Sequence, residues 1–286
     1  MYEIRAFPTI SKYSWPLLSR FSNSARAVSA PKGLFRQPPS RWPANGALFF
    51  TVCLLLCGLG KPYAQGLSGT SGLFNIPVAY LLEDRHVALG AHFLHRDYTS
   101  YKYSKDNSYQ WHGLATFATI AFLPRVEFQF RYTHLLGREI SSSTRYFPDR
   151  MLTLRFLLLK EGEYLPALTL GLQDQTYLLG GEGGYYATNY IVASKTMSKG
   201  PFRLQGHLGY GLPRLATRES PPRVYYDGLM GGASLRWDRL PAAELLLEHD
   251  SHRWNTGLRV LFLKHWQVLA GWHRMRGFSG GLCWKG

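Results

Sequence analysis

Val126-Glu-Phe-Gln-Phe-Arg-Tyr-Thr-His134 alternates, residue by residue, between two kinds of side chain. Successive side chains of a β-strand point to opposite faces. The aromatic residues at even positions therefore share one face, and the polar residues at odd positions, including Glu127 and Arg131, share the other. Such a strand fits a wall between hydrocarbon and water, but it also fits a half-exposed sheet of a soluble sandwich. The rest of the chain decides between the two.

Strand-like runs of this kind continue to the C-terminus, and several repeat the alternation closely. The predicted strands are 86–96, 109–122, 126–136, 150–159, 165–174, 187–197, 201–211, 224–238, 242–249, 253–263, 265–273 and 278–285. Most have the length of about 9–11 residues that a tilted strand needs to cross a bilayer. The runs 109–122, 187–197 and 224–238 alternate poorly, which leaves their register open. Tyrosine and tryptophan fall near strand ends, where the aromatic girdle of a membrane barrel lies.

The connections between these runs are sorted by length. Those after odd-numbered strands are mostly long (97–108, 137–149, 175–186, 212–223, then the shorter 250–252 and 274–277), and those after even-numbered strands are tight (123–125, 160–164, 198–200, 239–240, 264). Long loops on one side and short turns on the other are typical of a bacterial outer-membrane barrel with periplasmic termini. The sequence therefore predicts an all-β fold, a single transmembrane antiparallel β-barrel of about 12 strands, with 10 or 14 also open.

Residues 1–65 differ from the rest and predict export. They hold eight Lys or Arg against one acid, Glu3, and include the apolar run Ala47–Leu59. This run is shorter than the roughly 20 residues of a membrane-spanning helix but suits a signal peptide. We expect a basic extension plus signal peptide, cleavage near Ala64 or Gln65, and the outer membrane of a Gram-negative cell as destination. A short anchor, a buried helix and an organellar transit peptide are the alternatives.

The remaining chain divides into a lead-in, 66–85, and the barrel, 86–286. The lead-in is open to three interpretations: a periplasmic stretch, a short helix near Pro77–Leu82, or a segment folded into the lumen. Beyond the cleavage site Cys283 is the sole cysteine, so no intramolecular disulfide is expected. The formal net charge of +15 falls to +8 without the presequence. No basic stripe resembles a nucleic-acid-binding module, so we expect no nucleic-acid partner.

Several short motifs resemble one known family. Gly72–Gly90 contains Gly-Leu-Phe-Asn-Ile-Pro-Val-Ala, and Gly171-Leu-Gln-Asp174, Tyr190–Lys195 and Leu247-Glu-His-Asp250 with Asn255 follow in order. Together these are similar to the YjbH-like bacterial outer-membrane proteins. The resemblance implies a β-barrel tied to exopolysaccharide or capsule production, acting in secretion or assembly. Its partners would be outer-membrane lipid, polysaccharide and other export or assembly proteins.

Charged residues on the polar faces of the strands are candidates for the lumen. They are Glu127, Arg131, Arg155, Arg203, Arg236, Glu244, Glu248 and Arg259. One interpretation is a charged conduit that steers an anionic polysaccharide or another polar solute. The other is a lumen closed by Arg–carboxylate pairs, because buried charges need partners.

A second candidate set lies at the outer strand ends: Gln173, Asp174, Asp250 and Asn255. These residues suit a sugar- or metal-binding rim, and equally the termination of strands and turns. HExxH and paired CxxC motifs are absent after residue 65. We therefore expect no enzyme, no metal and no cofactor. A barrel lipid hydrolase or acyltransferase, with a Ser and a His meeting on the outer surface, and a general diffusion pore are the alternatives.

Overall fold

The alternating runs form β-strands in the computed structural model, which describes residues 65–99, 111–137, 149–175, 186–213 and 226–286. The strands are β1 (His86–Leu94), β2 (Gly113–Leu123), β3 (Val126–Leu135), β4 (Asp149–Leu159), β5 (Ala167–Gln173), β6 (Thr188–Lys199), β7 (Phe202–Pro213), β8 (Gly228–Trp237), β9 (Ala243–His249), β10 (Trp254–Phe262), β11 (Trp266–His273) and β12 (Gly277–Lys285). A one-turn 3₁₀ helix, Arg96–Tyr98, follows β1. The prediction for residues 1–64 lies outside the described part.

Each strand pairs antiparallel with its sequence neighbours, and β12 returns to pair with β1. This seam runs from Ala88 opposite Lys285 to Phe93 opposite Gly280. The 12 strands therefore form one closed barrel. The predicted antiparallel barrel is confirmed, and the soluble sandwich is wrong, because the described strands form no second sheet.

The connections distinguish the two ends of the barrel. The turns after even-numbered strands define the short-turn end, where β1 begins and β12 finishes. The connections after odd-numbered strands define the long-loop end. Interior and exterior alternate as predicted in β3, where Glu127 and Gln129 are fully buried and Phe130 and Tyr132 point outward.

The outer wall is apolar and carries aromatic residues at both ends. At the long-loop end the exposed aromatic residues include Tyr132, Tyr210, Trp254, Trp272 and Phe278, and at the short-turn end Phe202, Trp237 and Trp284. Exposed leucines, such as Leu208, Leu245 and Leu258, lie between them. No helix among the described residues is long and apolar enough to cross a membrane.

The interior is filled by residues 65–82, here called the lumenal segment. Antiparallel bridges join Gln65 to Ser71 and Gly72 to Pro77, so the segment folds into two consecutive turns. Its apolar residues are buried against inward-facing aromatic rings of the wall, including Tyr98, Tyr190 and Tyr226. Of the three interpretations of the lead-in, the structure shows the one inside the lumen. No helix forms between Pro77 and Leu82.

Glycines on the inner wall make room for this segment. Gly257 and Gly271 lie opposite each other in β10 and β11. A Cβ atom at Gly271 would stand 2.7 Å from the Phe74 ring and 2.4 Å from the Thr256 carbonyl oxygen, and one at Gly257 would stand 3.1 Å from the Phe74 ring. Such approaches leave no space for a side chain. The absence of side chains at these two positions is thus a packing requirement of Phe74.

Candidate functional site: the filled lumen

The tip of the lumenal segment is held by one carboxylate. Glu248 accepts hydrogen bonds from the backbone N–H groups of Phe74 at 3.0 Å, Asn75 at 2.8 Å and Ile76 at 3.1 Å. The Asn255 amide donates to the same carboxylate at 3.0 Å. Hydrogen bonds to an ionised group are stronger than those between neutral groups, so this cluster fixes the backbone of the tip.

The side chain and the carbonyl group of Asn75 add further contacts at the long-loop end. Its amide nitrogen donates to Asp250 at 3.2 Å, and the Asn255 amide donates to the same Asp250 oxygen at 2.9 Å. The Tyr226 hydroxyl donates to the Asn75 carbonyl oxygen at 2.7 Å. Asn75 is therefore bonded to wall residues that follow β9 and precede β8, and it shares Asp250 with Asn255 of β10.

An arginine binds the carbonyl groups of the same stretch of backbone. Arg259 donates to the carbonyl oxygens of Gly72 at 2.6 Å and Leu73 at 2.7 Å. Its other terminal nitrogen donates to Glu244 at 2.8 Å, and Arg236 lies 3.8 Å from that carboxylate. The guanidinium thus joins a wall carboxylate to the lumenal segment, and its charge is partnered inside the barrel.

A second ion pair holds the returning half of the segment. Arg155 and Glu127 are fully buried and 2.7 Å apart, and Arg155 also donates to the Val78 carbonyl oxygen. Glu127 accepts from the Ser71 hydroxyl at 2.7 Å and from the Leu82 backbone N–H at 2.8 Å. The inner-wall charges are therefore used by the segment and by each other.

Near the short-turn end the segment contacts a partly exposed cluster. The Tyr80 hydroxyl donates to Glu161 at 2.8 Å, and Glu161 also accepts from the Thr196 backbone N–H at 2.7 Å, with Lys195 at 3.6 Å. Burial alone raises the pKa of Glu161, but these hydrogen bonds and the lysine outweigh it and lower the pKa below its usual value. Burial raises the pKa of Tyr80. The contact therefore joins a neutral phenol to a carboxylate.

Two predicted lumen charges take different positions. Arg131 is buried, lies 3.8 Å from Asp149 and covers the Tyr186 ring. Arg203 is exposed at the short-turn end of β7. Arg131, like the other inner-wall arginines, is thus enclosed, whereas Arg203 lies at the mouth.

The predicted rim residues are buried and bind backbone groups. Asp174 accepts from the Tyr186 N–H at 2.9 Å, and Gln173 donates to the Tyr186 carbonyl oxygen at 3.1 Å. Asp250 accepts from the backbone N–H groups of His252 and Arg253, and Asn255 accepts from that of Arg274. These contacts are those of turn termination. The described residues contain no group of three or more His, Cys, Asp or Glu side chains able to hold a metal ion.

A Ser–His contact occurs inside the barrel. The Ser194 hydroxyl lies 2.8 Å from His207 Nδ1 and accepts the Ala79 backbone N–H at 2.7 Å. Both side chains are buried beneath the lumenal segment. The hydrolase alternative requires such a pair on the outer surface, and this contact instead anchors the segment to β6 and β7.

These contacts define the class of protein: a closed β-barrel whose lumen is filled by the segment preceding its first strand. The chain belongs to the YjbH family, because the family model described as "Exopolysaccharide biosynthesis protein YbjH" matches residues 66–223, more than half of the chain. No curated protein matches the chain. The matched residues include most of the lumenal segment and the strands β1 to β7.

The structure brings together motifs that lie far apart in the sequence and carry the family resemblance. Asn75, in the first motif, binds Asp250 and the Glu248 carboxylate in the last. Gly171 and Tyr190, from the two central motifs, lie opposite each other in β5 and β6. The functional residues missed by sequence reasoning are those of the lumenal segment. The signal available was its Leu-Phe-Asn-Ile-Pro-Val-Ala run, which is too apolar for a solvated linker.

Proposed function

We propose that this protein is an outer-membrane β-barrel that takes part, without catalysing a reaction, in the export or assembly of an exopolysaccharide. Membership of an exopolysaccharide-biosynthesis family supports a role in polysaccharide production. The apolar outer wall with aromatic residues at both ends supports a location in the membrane. The closed sheet supports it too, because a closed barrel leaves no backbone group of its strands unpaired in lipid. A cleaved signal peptide would deliver the chain.

The filled lumen is the observation that supports a barrel closed at rest. Glu127, Glu248 and Arg259 bind backbone groups of the lumenal segment and stand in the space that a solute would need. This arrangement favours a barrel that is closed at rest over a general diffusion pore. Passage of a polymer through the lumen requires displacement of the segment, whereas a role in assembly uses the closed form.

The test compares a producing strain with a deletion of this gene. Surface polysaccharide should fall in the deletion strain and return with the intact gene. The membrane fraction should retain the protein through a carbonate wash, and the protein should migrate differently on a gel with and without heating. Unchanged polysaccharide in the deletion strain would contradict the proposed role, and release by carbonate would contradict the membrane location.

A substitution at Ser194 tests the proposal that the protein is not an enzyme. Ser194→Ala removes the hydroxyl that a nucleophile would need and leaves the barrel wall otherwise intact. We expect the folded S194A protein to restore polysaccharide production. Because Ser194 also accepts the Ala79 N–H, exchange of that amide is measured beside it. A heat-modifiable S194A barrel with unchanged Ala79 exchange that fails to restore production would favour the enzyme alternative.

A further inference from the structure

A groove at the long-loop end is lined by three arginines. Arg253 precedes β10, and Arg274 and Arg276 lie between β11 and β12. Together with Trp254 and Met275 they line an open groove of about 370 Å³, here called the basic groove. Among the described residues, the hydrogen bonds and salt bridges of Arg253 and Arg274 go to wall residues and not to the lumenal segment, so the proposed function does not account for them.

The barrel register brings the two connections side by side. Asn255 of β10 lies opposite His273 of β11, which lies opposite Gly277 of β12. Both connections are tight, because Arg253 accepts the Asp250 N–H through its carbonyl oxygen and the Arg276 N–H donates to His273. The arginines are therefore clustered by the sheet itself.

The basic groove has a positive excess. Arg274 lies 3.9 Å from Asp97. Arg253 faces the His273 ring at 3.4 Å, and neither Arg253 nor Arg276 forms a salt bridge with a carboxylate of the described residues. Asp250, the adjacent acid, is 4% exposed and turned inward onto Asn75. The groove therefore presents guanidinium groups with little acidic compensation.

Aromatic residues lie directly beside these charges on the outer wall. Trp254, Trp272 and Phe278 are each exposed over half or more of their surface, and the Trp272 and Phe278 rings meet edge to face at 6.3 Å. Cations next to exposed aromatic rings form an amphipathic surface. A ligand that matches it carries anionic groups and hydrocarbon in one molecule.

We propose that the basic groove binds the phosphate groups of a phosphorylated glycolipid of the outer leaflet, whose acyl chains pack on Trp272 and Phe278. This inference rests on the proposed membrane location. Planar guanidinium groups bind phosphate oxygens in pairs, which explains the choice of arginine. Aromatic side chains at the edge of the apolar wall suit the region where headgroup and acyl chains meet.

The experiment uses the full chain in detergent micelles and a bisphosphorylated acylated glucosamine disaccharide as probe. The variant R253Q/R274Q/R276Q removes the basic groove, and R125Q/R239Q/K264Q removes three exposed cations at the short-turn end as a matched control. Wild type and control should bind the phosphorylated lipid, and the groove variant should bind about tenfold more weakly or worse. The dephosphorylated lipid should bind all three proteins equally weakly.

Equal binding of the phosphorylated lipid by the groove variant and the control would overturn the inference, as would displacement of the lipid by inorganic phosphate at equal concentration. Insertion into phospholipid vesicles is measured separately for all three proteins. A wild-type protein that inserts but binds without regard to phosphate refutes the basic groove alone. One that does not insert refutes the proposed membrane location instead.

Discussion

At the scale of single residues, Glu248 joins the tip of the lumenal segment to the wall. Its carboxylate accepts three consecutive backbone N–H groups, from Phe74, Asn75 and Ile76. An amide at this position keeps one acceptor oxygen and turns an N–H₂ group toward the donors. Both carboxyl oxygens of Glu248, as hydrogen-bond acceptors, are therefore what the segment requires.

Glu248→Gln should loosen the tip without unfolding the barrel. A hydrogen bond to a charged group contributes about 1.5–3 kcal/mol, so losing one of them should raise the exchange rates of the 74–76 amides roughly 10- to 150-fold. Hydrogen exchange followed by mass spectrometry measures this. Glu163→Gln, in an exposed short turn, is the control and should leave these rates unchanged. Unchanged exchange in E248Q would show that the carboxylate does not hold the segment.

Arg155 and Glu127 form a fully buried pair, and its two members should depend on each other. Removing one charge, in R155M or E127Q, should lower the free energy of unfolding by about 3–5 kcal/mol, because the other charge is left buried alone. The double variant should lose less than the sum of the single losses. Urea unfolding in lipid vesicles measures the cycle.

The control pair is Lys195 and Glu161, which is partly exposed. Its coupling should stay below about 1 kcal/mol because solvent screens the charges. Additive losses for Arg155 and Glu127 would mean that each residue is stabilised by the lumenal segment alone.

Sequence reasoning reached part of this site. Alternation along β3 and β10 predicts Glu127, Arg131 and Arg259 on the inner face, and in the structure all three side chains are buried. It did not find what Glu127 and Arg259 bind, because their partners are largely backbone groups of residues 71–82, and every residue type carries the same backbone groups. Asn75 was visible in a motif, yet nothing in the local sequence linked it to Asp250 across 175 positions.

At the scale of strands, the outward faces of β3 and β4 should respond to charge according to depth. Phe128 and Leu154 lie opposite each other on the outer face, at the third residue of β3 and the sixth residue of β4. Phe128→Arg or Leu154→Arg should cost roughly 2–4 kcal/mol in vesicles, because each places a cation in hydrocarbon. Unfolding titrations of the purified barrel measure the loss.

Leu123→Arg, at the short-turn end of β2, is the matched control. Its cost should be no more than about 1 kcal/mol, since the side chain reaches the interface. Equal tolerance of arginine at all three positions would show that lipid does not surround this face.

Two strands whose register the sequence left open, β2 and β6, alternate poorly for the same physical reason. β2 points Phe117 inward and β6 points Tyr190 and Val192 inward, so both faces carry apolar residues and the alternation disappears. These inward residues pack on the lumenal segment or on glycines of neighbouring strands, as Phe117 does on Gly69 of the segment and Gly90 of β1. A water-filled lumen would have demanded polar residues there, and the sequence alone does not reveal that the lumen is filled.

At the scale of the whole molecule, the lumenal segment should determine conductance. Wild-type protein in planar bilayers should show no steady ion current, whereas a chain lacking residues 66–82 should conduct through a lumen lined by Arg155, Arg259 and Glu248. The control replaces the exposed turn residues 162–163 and should stay silent. Steady current through the wild-type barrel would contradict a closed resting state, and silence in the shortened chain would mean that other residues block the lumen.

Both ends of the lumenal segment lie toward one mouth of the barrel. Gln65 contacts Gln267 at the start of β11, and Leu82 contacts Glu127 at the start of β3. Both ends of the segment therefore face the same opening, and the segment is not threaded through the cylinder. The segment can therefore leave the lumen through that opening as a loop while β1 and β12 stay hydrogen-bonded. Its removal and return leave the strand topology of the wall unchanged.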